Sequence, residues 1–566
     1  MALRKLGIVS RTYQHVSRYR QILAALVRYG FGDLVDRLHI SHYLELGLHL
    51  VGRRGDERVA AHTRPQRVRM LLEELGPTFV KLGQVASTRP DLFEPEFIAE
   101  LEKLCDDVPP FEFAEVRRIV ESELGRPLEE LFAHFDPQPL AAASIGQVHR
   151  ARLADGAQVV VKVQRPGIHP VIRVDLEILE HLAGLIEQHV EEARSLRPRQ
   201  IVREFARVIE QELDYEIERA NLEHFARIFA DDPTVHVPRV FRELSTSLVL
   251  TMEYVEGLNP LDEQALEAAG LDRKLLARRG AHSILRQIFE EGFFHADPHP
   301  GNMLALPDNV VGYLDFGMMG RLDRRQREEM AELIYGMSRF DAERTTAALL
   351  RITEHEDDEE LDRRALVRDI AGLLDLQVGT ELGRIRIDDL THRLLRLVSR
   401  HHLRIPPELV TMLKALATVE GIGAALDPQL NMIELATPYV RWVLLARYSP
   451  TRLAGELFQT SGDIYDLLHE LPGGVRELLK LAKRGGVRID VEHRGFDKMI
   501  ETHQRVSNRI SFALVVAALI VGSSLLVASH MPPMVYGIPV IGLAGFVAAG
   551  IMGFLLLWSI IRHGRM

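Results

Sequence analysis

The residues that could do chemistry are concentrated in two short segments, His295–Asn302 and Leu314–Gly317. Asp297 is followed five positions later by Asn302, and an apolar strand then leads to Asp315 in an Asp-Phe-Gly sequence. Phosphoryl transfer from ATP uses such a set: one carboxylate faces the acceptor hydroxyl, and an amide and a second carboxylate bind Mg²⁺. Asp-Phe-Gly alone arises by chance. The order and spacing of both segments predict Asp297 as a catalytic residue and Asn302 and Asp315 as metal ligands.

Such a site needs an ATP-anchoring lysine on an upstream strand and a carboxylate that orients it. The β-branched run Gln158–Val163 predicts a buried strand, and Lys162 is its only charge. A single lysine more often reaches solvent, but the downstream metal segment favours a catalytic role in holding ATP. Residues 201–229 read as one long charged helix with carboxylates paired at i,i+4 spacing on adjoining faces, and we expect Glu218 to pair with Lys162.

The segment before the lysine strand departs from the glycine-rich loop of protein kinases. Ala141, Ala142, Ala143 and Ser144 stand where the backbone would approach phosphate, and their side chains restrict φ. We therefore expect nucleotide to be held differently from a standard kinase. The start of a buried helix would explain the alanines equally well, but the position favours a nucleotide loop.

A second candidate for nucleotide contact follows the strand at 248–251. Residues 252–255 are placed to form the hinge whose backbone meets adenine, with Glu253 and Val255 as the contacting positions. A simple strand end is the alternative.

Taken together, the chain resembles the UbiB family of atypical kinases, also called ADCK-like, over residues 64–431. The motifs are the Lys-Leu-Gly-Gln sequence from Lys81 to Gln84, the alanine-rich loop, Val161–Gly167, Glu212-Leu213-Asp214, and the two segments above. The resemblance implies a kinase-like fold that binds ATP and Mg²⁺. It also implies an ATPase action in ubiquinone biosynthesis, on lipid intermediates or their enzymes, rather than phosphorylation of proteins in trans.

The resemblance assigns roles residue by residue. Lys162, Glu218, Asp297, Asn302 and Asp315 match the nucleotide and metal site. Lys81 and Gln84 match a signature extension that packs over the active site, and Glu212 and Asp214 match the acidic pair it contacts. We expect an ion pair between Lys81 and Glu212.

Two departures from ordinary protein kinases bear on regulation. His295-Ala296-Asp297 lacks the arginine that meets a phosphorylated activation loop, and no Ala-Pro-Glu follows Gly317. We therefore do not expect control by activation-loop phosphorylation.

The C-terminal region predicts a transmembrane hairpin. Residues 510–529 and 538–561 are each apolar for about one bilayer thickness and uncharged. A pair of buried core helices is the alternative. Arginines flank the hairpin on its terminal sides, which predicts both ends and the kinase-like part in the cytoplasm, with the hairpin in the inner membrane. Gly545, Ala549 and Gly553 stand at four-residue spacing and could pair within the hairpin or join two protomers as a homodimer.

Composition agrees with this placement. The net charge of -11 and pI near 6.1 argue against a nucleic-acid partner. One cysteine, Cys105, excludes an intrachain disulfide framework and suits a reducing compartment. The basic N-terminal segment could lie on anionic lipid or pack on the kinase-like part, and the hairpin favours lipid contact.

The predicted fold is α+β: an atypical protein-kinase-like bilobal fold with an N-terminal helical extension and a C-terminal transmembrane helical hairpin. The predicted divisions are basic helices (1–63), the extension (64–110), an N-lobe (111–255), a C-lobe (256–450), a helical linker (451–508) and the hairpin (509–562). Three functions fit: a membrane-anchored ATPase, a small-molecule or lipid kinase, and a scaffold switched by ATP. The complete set of Lys, Asp, Asn and Asp favours catalysis.

Overall fold

The computed structural model describes residues 2–38, 59, 61–87, 89, 93–104, 108–190, 197–353, 361–378, 387–401, 403–447, 496–529, 532–535 and 538–563. The chain divides into two compact units, residues 1–454 and 455–566. Cys105 lies outside the described residues. So does the predicted linker up to residue 495, and its last part, 496–508, belongs to a helix of the second unit.

Among the described residues, the strands of the first unit form one four-stranded sheet and two smaller ones. In chain order they are β1 His134–Ala142, β2 Gly146–Arg152, β3 Gln158–Gln164, β4 Val235–His236, β5 Val249–Glu253, β6 Phe293–His295, β7 Met303–Leu306, β8 Val310–Tyr313 and β9 Met319–Arg321. The large sheet has the order β1-β2-β3-β5 and is antiparallel throughout. The small sheets have the orders β4-β8-β7 and β6-β9.

Helices make up most of the rest of what the structure describes in the first unit. They are α1 Ala2–Arg28, α2 Gly32–Arg37, α3 Arg64–Leu75, α4 Pro77–Ser87, α5 Pro95–Leu101, α6 Phe113–Leu124, α7 Leu128–Leu131, α8 Ile168–His189, α9 Pro198–Glu212, α10 Tyr215–Ile228, α11 Glu263–Ala268, α12 Arg273–Leu285, α13 Arg324–Ser338, α14 Ala342–Ile352, α15 Arg363–Val378, α16 Ile387–Arg400, α17 Pro407–Leu426 and α18 Met432–Arg447. A π-helical turn, Arg286–Glu291, extends α12. The mixed α+β class is confirmed.

Alternation along β3 determines which side chains reach the site. Val159, Val161 and Val163 are fully buried against α6 and α7, in a core shared with Val116 of α6. Because successive strand residues point to opposite faces, Val160 and Lys162 face the other way. On that face Val160 packs in the core that contains Leu222 and Phe225 of α10. The strand therefore directs one cation towards α10.

The segment read as one helix over 201–229 is two helices, so that prediction is wrong. α9 ends at Glu212 and α10 begins at Tyr215. The Asp214 carboxylate Oδ1 accepts a hydrogen bond from the Glu216 backbone N–H, 3.0 Å away, and caps α10. An N-cap side chain satisfies a backbone donor that a continuous helix would satisfy itself. The i,i+4 pairing of carboxylates across this point does not exist.

The two segments predicted to carry chemistry are loops between short strands. The first joins β6 to β7, and the second joins β8 to β9. β7 and β8 form an antiparallel hairpin, and β4 runs parallel to β8. α12 to α18 pack beside these strands around a large apolar core that includes Met412 and Leu416 of α17. The loops are thus held on a packed scaffold.

The second half of α1 packs on the kinase-like part. Ile22 and Leu23 are buried with residues of α3 and α8. The Arg18 guanidinium donates to the Asp175 carboxylate of α8 at 2.7 Å and to the Leu75 carbonyl at 2.7 Å. This half of the helix follows the packing alternative. Lipid contact by the N-terminal segment stays a prediction.

The described part of the second unit contains two long antiparallel helices, α19 Phe496–Ala528 and α20 Val540–His563, with β10 Met534–Val535 and β11 Ile538–Pro539 paired between them. Within the described residues, Ile510–Ala528 and α17 are long and apolar enough to cross a membrane, and Val540–Leu555 is a shorter apolar helix. In α17, 56% of the apolar stretch is buried inside the first unit, so α17 is a core helix. In Ile510–Ala528, only 6% of the apolar stretch is buried.

Candidate active site

Lys162 and Glu218 form the ion pair that the sequence predicted. The Lys162 Nζ lies 2.8 Å from Glu218 Oε2 and 3.0 Å from Oε1. The Glu218 side chain is 5% exposed and that of Lys162 is 20% exposed. Burial alone would lower the pKa of Lys162, but the carboxylates of Asp315 and Glu218 outweigh it and hold that pKa well above its ordinary value. The lysine is therefore a fixed positive charge.

Asp315 faces the same ammonium. Its Oδ2 lies 3.9 Å from Lys162 Nζ, and its Oδ1 accepts a 2.8 Å hydrogen bond from the Gly317 backbone N–H. The surrounding protein would raise the pKa of Asp315, but Lys162, the Gly317 N–H and Lys81 lower it to about 2. The side chain stays 46% exposed. Asp315 is thus an ionised carboxylate that remains partly accessible to solvent.

The loop after β6 carries Asp297 and Asn302. The Asn302 side-chain N–H donates to the Asp297 carbonyl at 3.1 Å, which fixes the amide and leaves its oxygen for another partner. His295 joins the two functional loops: its Nε2 contacts the Asp315 carbonyl, and its Nδ1 accepts from the Asp297 backbone N–H at 3.2 Å. Burial lowers the pKa of His295, consistent with a neutral ring in this bridge.

The alanine-rich segment lies at the turn between β1 and β2, and no helix begins there. Ala141 and Ala142 end β1, and the Ala143 N–H donates to the Gly146 carbonyl at 2.8 Å across the turn. Ser144 is buried. A Cβ at Gly146 would lie 2.6 Å from the Val163 carbonyl oxygen, so glycine lets this turn lie against β3. Contact of this turn with nucleotide stays a prediction.

The hinge candidates lie at the end of β5, which pairs with β3. Glu253 is the last residue of β5, and its Oε2 accepts a 3.0 Å hydrogen bond from the Arg239 backbone N–H. The Tyr254 N–H donates to the Gln158 carbonyl at 3.0 Å. Val255 is half-buried just beyond the strand. Adenine contact at Glu253 and Val255 stays a prediction.

The extension reaches the site through Lys81. Its Nζ lies 2.6 Å from Glu212 Oε1, which confirms the expected ion pair, and its charge contributes to the low pKa of Asp315. The Gln84 side-chain N–H donates to the Leu104 carbonyl at 3.1 Å. A Cβ at Gly83 would lie 2.2 Å from Leu104 Cδ1, so the glycine of this motif permits close packing.

The expected contact of the extension with an acidic pair needs a correction. Of the two acids, Glu212 is the one bound to Lys81. The Asp214 carboxylate is directed to the first turn of α10 as its N-cap. Its position after the end of α9 explains the difference, because a cap side chain must face its own helix.

The sequence reading missed three residues that shape the site. The Tyr215 ring lies under Lys162, with its centroid 5.3 Å from Nζ. The Asn221 side-chain N–H donates to the Phe316 carbonyl at 3.1 Å and ties α10 to the Asp-Phe-Gly loop. Lys414 of α17 lies 3.4 Å from Asp297 Oδ1. Only Lys414 had a visible signal, as an isolated cation in an apolar segment.

The donor set fits Mg²⁺ that arrives with nucleotide. Among the residues that the structure describes, no group of three or more His, Cys, Asp and Glu side chains is placed to hold a metal by itself. Mg²⁺ in ATP sites takes one or two carboxylates, and phosphate and water oxygens supply the rest. Asp315 and the amide oxygen of Asn302 match that requirement.

Three family models match the chain. The ABC1 atypical kinase-like domain covers residues 103–349, the UbiB helical domain covers 370–431, and the ABC1/UbiB kinase-like C-terminal domain covers 494–562. A solved complex of Rv3197 with erythromycin from Mycobacterium tuberculosis is 25% identical, covers 62% of this chain and 90% of that chain, and has a TM-score of 0.46. The assignment rests on the family models and on sequence relatives.

The relatives match over almost the whole chain. An uncharacterised protein in the hydrogenase 1 5′ region of Clostridium pasteurianum is 31% identical and covers 97% of this chain and 100% of its own length. Probable protein kinases UbiB from Xanthomonas campestris pv. campestris (strain B100) and Xylella fastidiosa (strain M23) are 33% and 34% identical. They cover 91% and 94% of this chain, and 94% and 97% of their own lengths. This chain therefore belongs to the UbiB family of atypical, kinase-like proteins.

Proposed function

We propose that the protein is a membrane-anchored, kinase-like ATPase that binds Mg-ATP and supports the biosynthesis of ubiquinone or a related isoprenoid quinone. The observation that carries the proposal is the buried Lys162–Glu218 ion pair with the ionised Asp315 beside it. In kinases the corresponding lysine–glutamate pair and the Asp-Phe-Gly carboxylate must both be in place for phosphoryl transfer. Phe316 is fully buried against Phe225 of α10, which keeps the two together.

Each residue has a defined part in the reaction. Lys162 holds the α- and β-phosphates, and Asn302 and Asp315 would hold Mg²⁺, which neutralises charge on the phosphate oxygens when bound. Asp297 orients a water molecule. The water oxygen forms a bond to the γ-phosphorus as the bond from that phosphorus to the bridging oxygen breaks. ADP leaves with the bonding electrons, and the water proton passes through Asp297 to solvent.

The membrane part of the proposal rests on the second unit. Large apolar side chains such as Leu514, Leu525 and Phe554 are more than 60% exposed on α19 and α20. Apolar surface of this extent suits lipid rather than water. The resemblance to UbiB proteins supports an action of the ATPase on quinone intermediates or on the enzymes that handle them.

The test is Mg²⁺-dependent ATP hydrolysis by the full-length protein in detergent, with and without anionic liposomes. We expect Asp315→Asn to lower turnover by about a hundredfold or more, because it removes the charge that holds the metal. Asp155→Asn is the matched control, since Asp155 lies in the exposed β2–β3 turn. Turnover that Asp315→Asn leaves unchanged, or a wild-type protein without turnover, would sink the proposal.

Two further measurements separate the parts of the proposal. Labelled γ-phosphate that appears in a membrane lipid extract, instead of in inorganic phosphate, would identify a lipid kinase. The ubiquinone content of a bacterium that lacks its own UbiB should rise with the wild-type chain and not with Asp315→Asn. Equal quinone content with both chains would refute the link to quinone biosynthesis.

A further inference from the structure

The charge next to Asp297 comes from a distant part of the chain. Lys414 Nζ lies 3.4 Å from Asp297 Oδ1, although 117 residues separate the two. Lys414 lies on α17, inside the segment that matches the UbiB helical domain and outside the segment that matches the kinase-like domain. The other carboxylate oxygen, Oδ2, lies 3.9 Å from His299 Nε2. The helical domain therefore reaches the loop on which the proposed chemistry depends.

The Asp297 loop has no permanent cation of its own. Residues 295–302 contain neither lysine nor arginine. A transferring phosphoryl group and the carboxylate beside it concentrate negative charge, which enzymes offset with fixed cations. Lys162 offsets the negative charge of Asp315, and Lys414 offsets the negative charge of Asp297.

The choice of lysine is informative in this chain. Only nine of its 69 basic residues are lysine, so arginine is the usual surface cation. Three of the nine, Lys81, Lys162 and Lys414, contact carboxylates at or beside the site. Lysine presents a compact ammonium on a flexible stem, whereas arginine presents a wide planar fork. The three positions at or beside the site are therefore occupied by the cation with the more compact charged group, the lysine ammonium.

Stability does not explain the Lys414–Asp297 pair. Both side chains are about one-third exposed, and an ion pair of this exposure typically contributes only about 0–1 kcal/mol. α17 carries no other charged residue between Glu408 in its first turn and Glu420, so a cation there interrupts a core helix. A contact of so little value to folding, at the proposed catalytic carboxylate, points to function.

We propose that Lys414 is a positioning residue for catalysis: its ammonium holds Asp297 Oδ1, while Oδ2, which is beyond hydrogen-bond distance of His299, stays available for the acceptor. The inference rests on the proposed ATPase function and assigns the helical domain a direct part in it. Without Lys414 the Asp297 carboxylate can rotate away from the acceptor, so the chemical step slows. Lys162 and Asp315, which bind the nucleotide and its metal in the proposed function, are unchanged, so the binding of ATP is preserved.

The test is the kcat and KM for ATP of the full-length Lys414→Met protein in detergent. We expect kcat to fall by about tenfold to a hundredfold with the KM for ATP changed by less than about threefold. Lys414→Arg should recover part of kcat, and ethylammonium, but not ethanol, should raise the kcat of Lys414→Ala. Lys274→Met, at an exposed position of α12, is the control and should match the wild type.

The outcomes are distinct. A Lys414→Met kcat within about twofold of the wild type would overturn this inference and leave the ATPase proposal standing. A loss that is equal in Lys414→Arg and insensitive to ethylammonium, together with a lower unfolding temperature, would make the residue structural and also overturn it. A wild-type protein without Mg-ATP turnover would overturn the ATPase proposal itself, and the inference with it.

Discussion

Lys162 sits between two carboxylates, and this arrangement sets the cost of changing either one. Glu218 lies 2.8 Å from its ammonium and is almost fully buried, whereas Asp315 lies 3.9 Å away and is partly exposed to solvent. Removing one partner of an isolated buried ion pair costs about 3–5 kcal/mol, because the other charge is left uncompensated. Here the second carboxylate remains.

We expect Glu218→Gln to lower the free energy of unfolding by about 1–3 kcal/mol, less than for an isolated buried pair, since Asp315 still compensates Lys162. Urea unfolding of the full-length protein in detergent, followed by circular dichroism, measures the change. Glu210→Gln, at an exposed position of α9, is the control. A Glu218→Gln protein as stable as this control would contradict the role of the pair.

The pH dependence of stability should carry a contribution from His295. Its pKa in the folded protein lies below the ordinary 6.5 because the ring is buried. Above pH 6.5 the ring is neutral in both states. As the pH falls, the unfolded chain binds the proton first, so stability is lost until the pH is below the lowered pKa of the folded state.

The stability lost between about pH 7.5 and pH 5.5 should therefore be smaller in His295→Gln than in the wild type, because glutamine does not titrate. Thermal unfolding at the two pH values measures the difference. His189→Gln, at the exposed end of α8, should behave as the wild type. An identical pH dependence in His295→Gln and the wild type would refute the assignment.

At the scale of elements, strand alternation carries most of what the sequence could predict. The β-branched run around Lys162 identifies a strand, and the period of two places the lysine opposite the apolar core of α6. The spacing of the two chemical segments likewise identifies loops after short strands. These features are local, so sequence alone exposes them.

The features that could not be predicted from the sequence depend on contacts between distant segments. The break between α9 and α10 has no Gly or Pro, and the capping Asp214 is its only local signal. At the break the Tyr215 backbone N–H donates to the carbonyl of the distant Ser247 at 3.0 Å. Lys414 lies on an apolar helix, and no spacing rule connects it to Asp297. Tertiary packing, which overrides local propensity, determines both where the helix breaks and which residue Lys414 contacts.

In the helix pair of the second unit, some small residues lie between the two helices and others have open space beside them. A Cβ built on Gly545 would lie 3.3 Å from Ser523 Cβ, and Ala549 on the same face of α20 is buried. Gly522 and Gly550 have open space where a side chain would stand. The Gly545 face is therefore used within the hairpin, and a homodimer would need another face.

Cysteines at 523 and 545 should form a disulfide within one chain. Their Cβ atoms would lie 3.3 Å apart, slightly closer than the range of about 3.5–4.5 Å found in disulfides, so a small outward shift of α20 brings them into that range. In a Cys105→Ser background, Ser523→Cys with Gly545→Cys should lose both free thiols on mild oxidation without forming a dimer on a non-reducing gel. Gly522→Cys with Gly550→Cys is the control and should keep its thiols. A covalent dimer of the first pair would show that this face joins two protomers.

At the scale of the whole molecule, the two units have different solvents in the proposed function. The first unit, residues 1–454, carries the site and buries the apolar helix α17, a candidate span by length and composition, in its own core. The second unit exposes the apolar surface of Ile510–Ala528. Arg509 precedes this stretch, Arg562 and Arg565 follow α20's apolar part, and residues 529–539 between the helices contain no Lys or Arg.

This charge distribution predicts the topology by the positive-inside rule: the helix connection faces outward and the first unit is cytoplasmic. In the Cys105→Ser background, a membrane-impermeant maleimide should label Met534→Cys in intact spheroplasts. It should label Lys274→Cys only after lysis, since α12 belongs to the first unit. Labelling of Lys274→Cys in intact spheroplasts would show that the first unit faces outward, opposite to the predicted orientation. Protection of Met534→Cys until lysis, with Lys274→Cys also protected, would mean that the helix pair does not cross the bilayer and binds it from the cytoplasmic side.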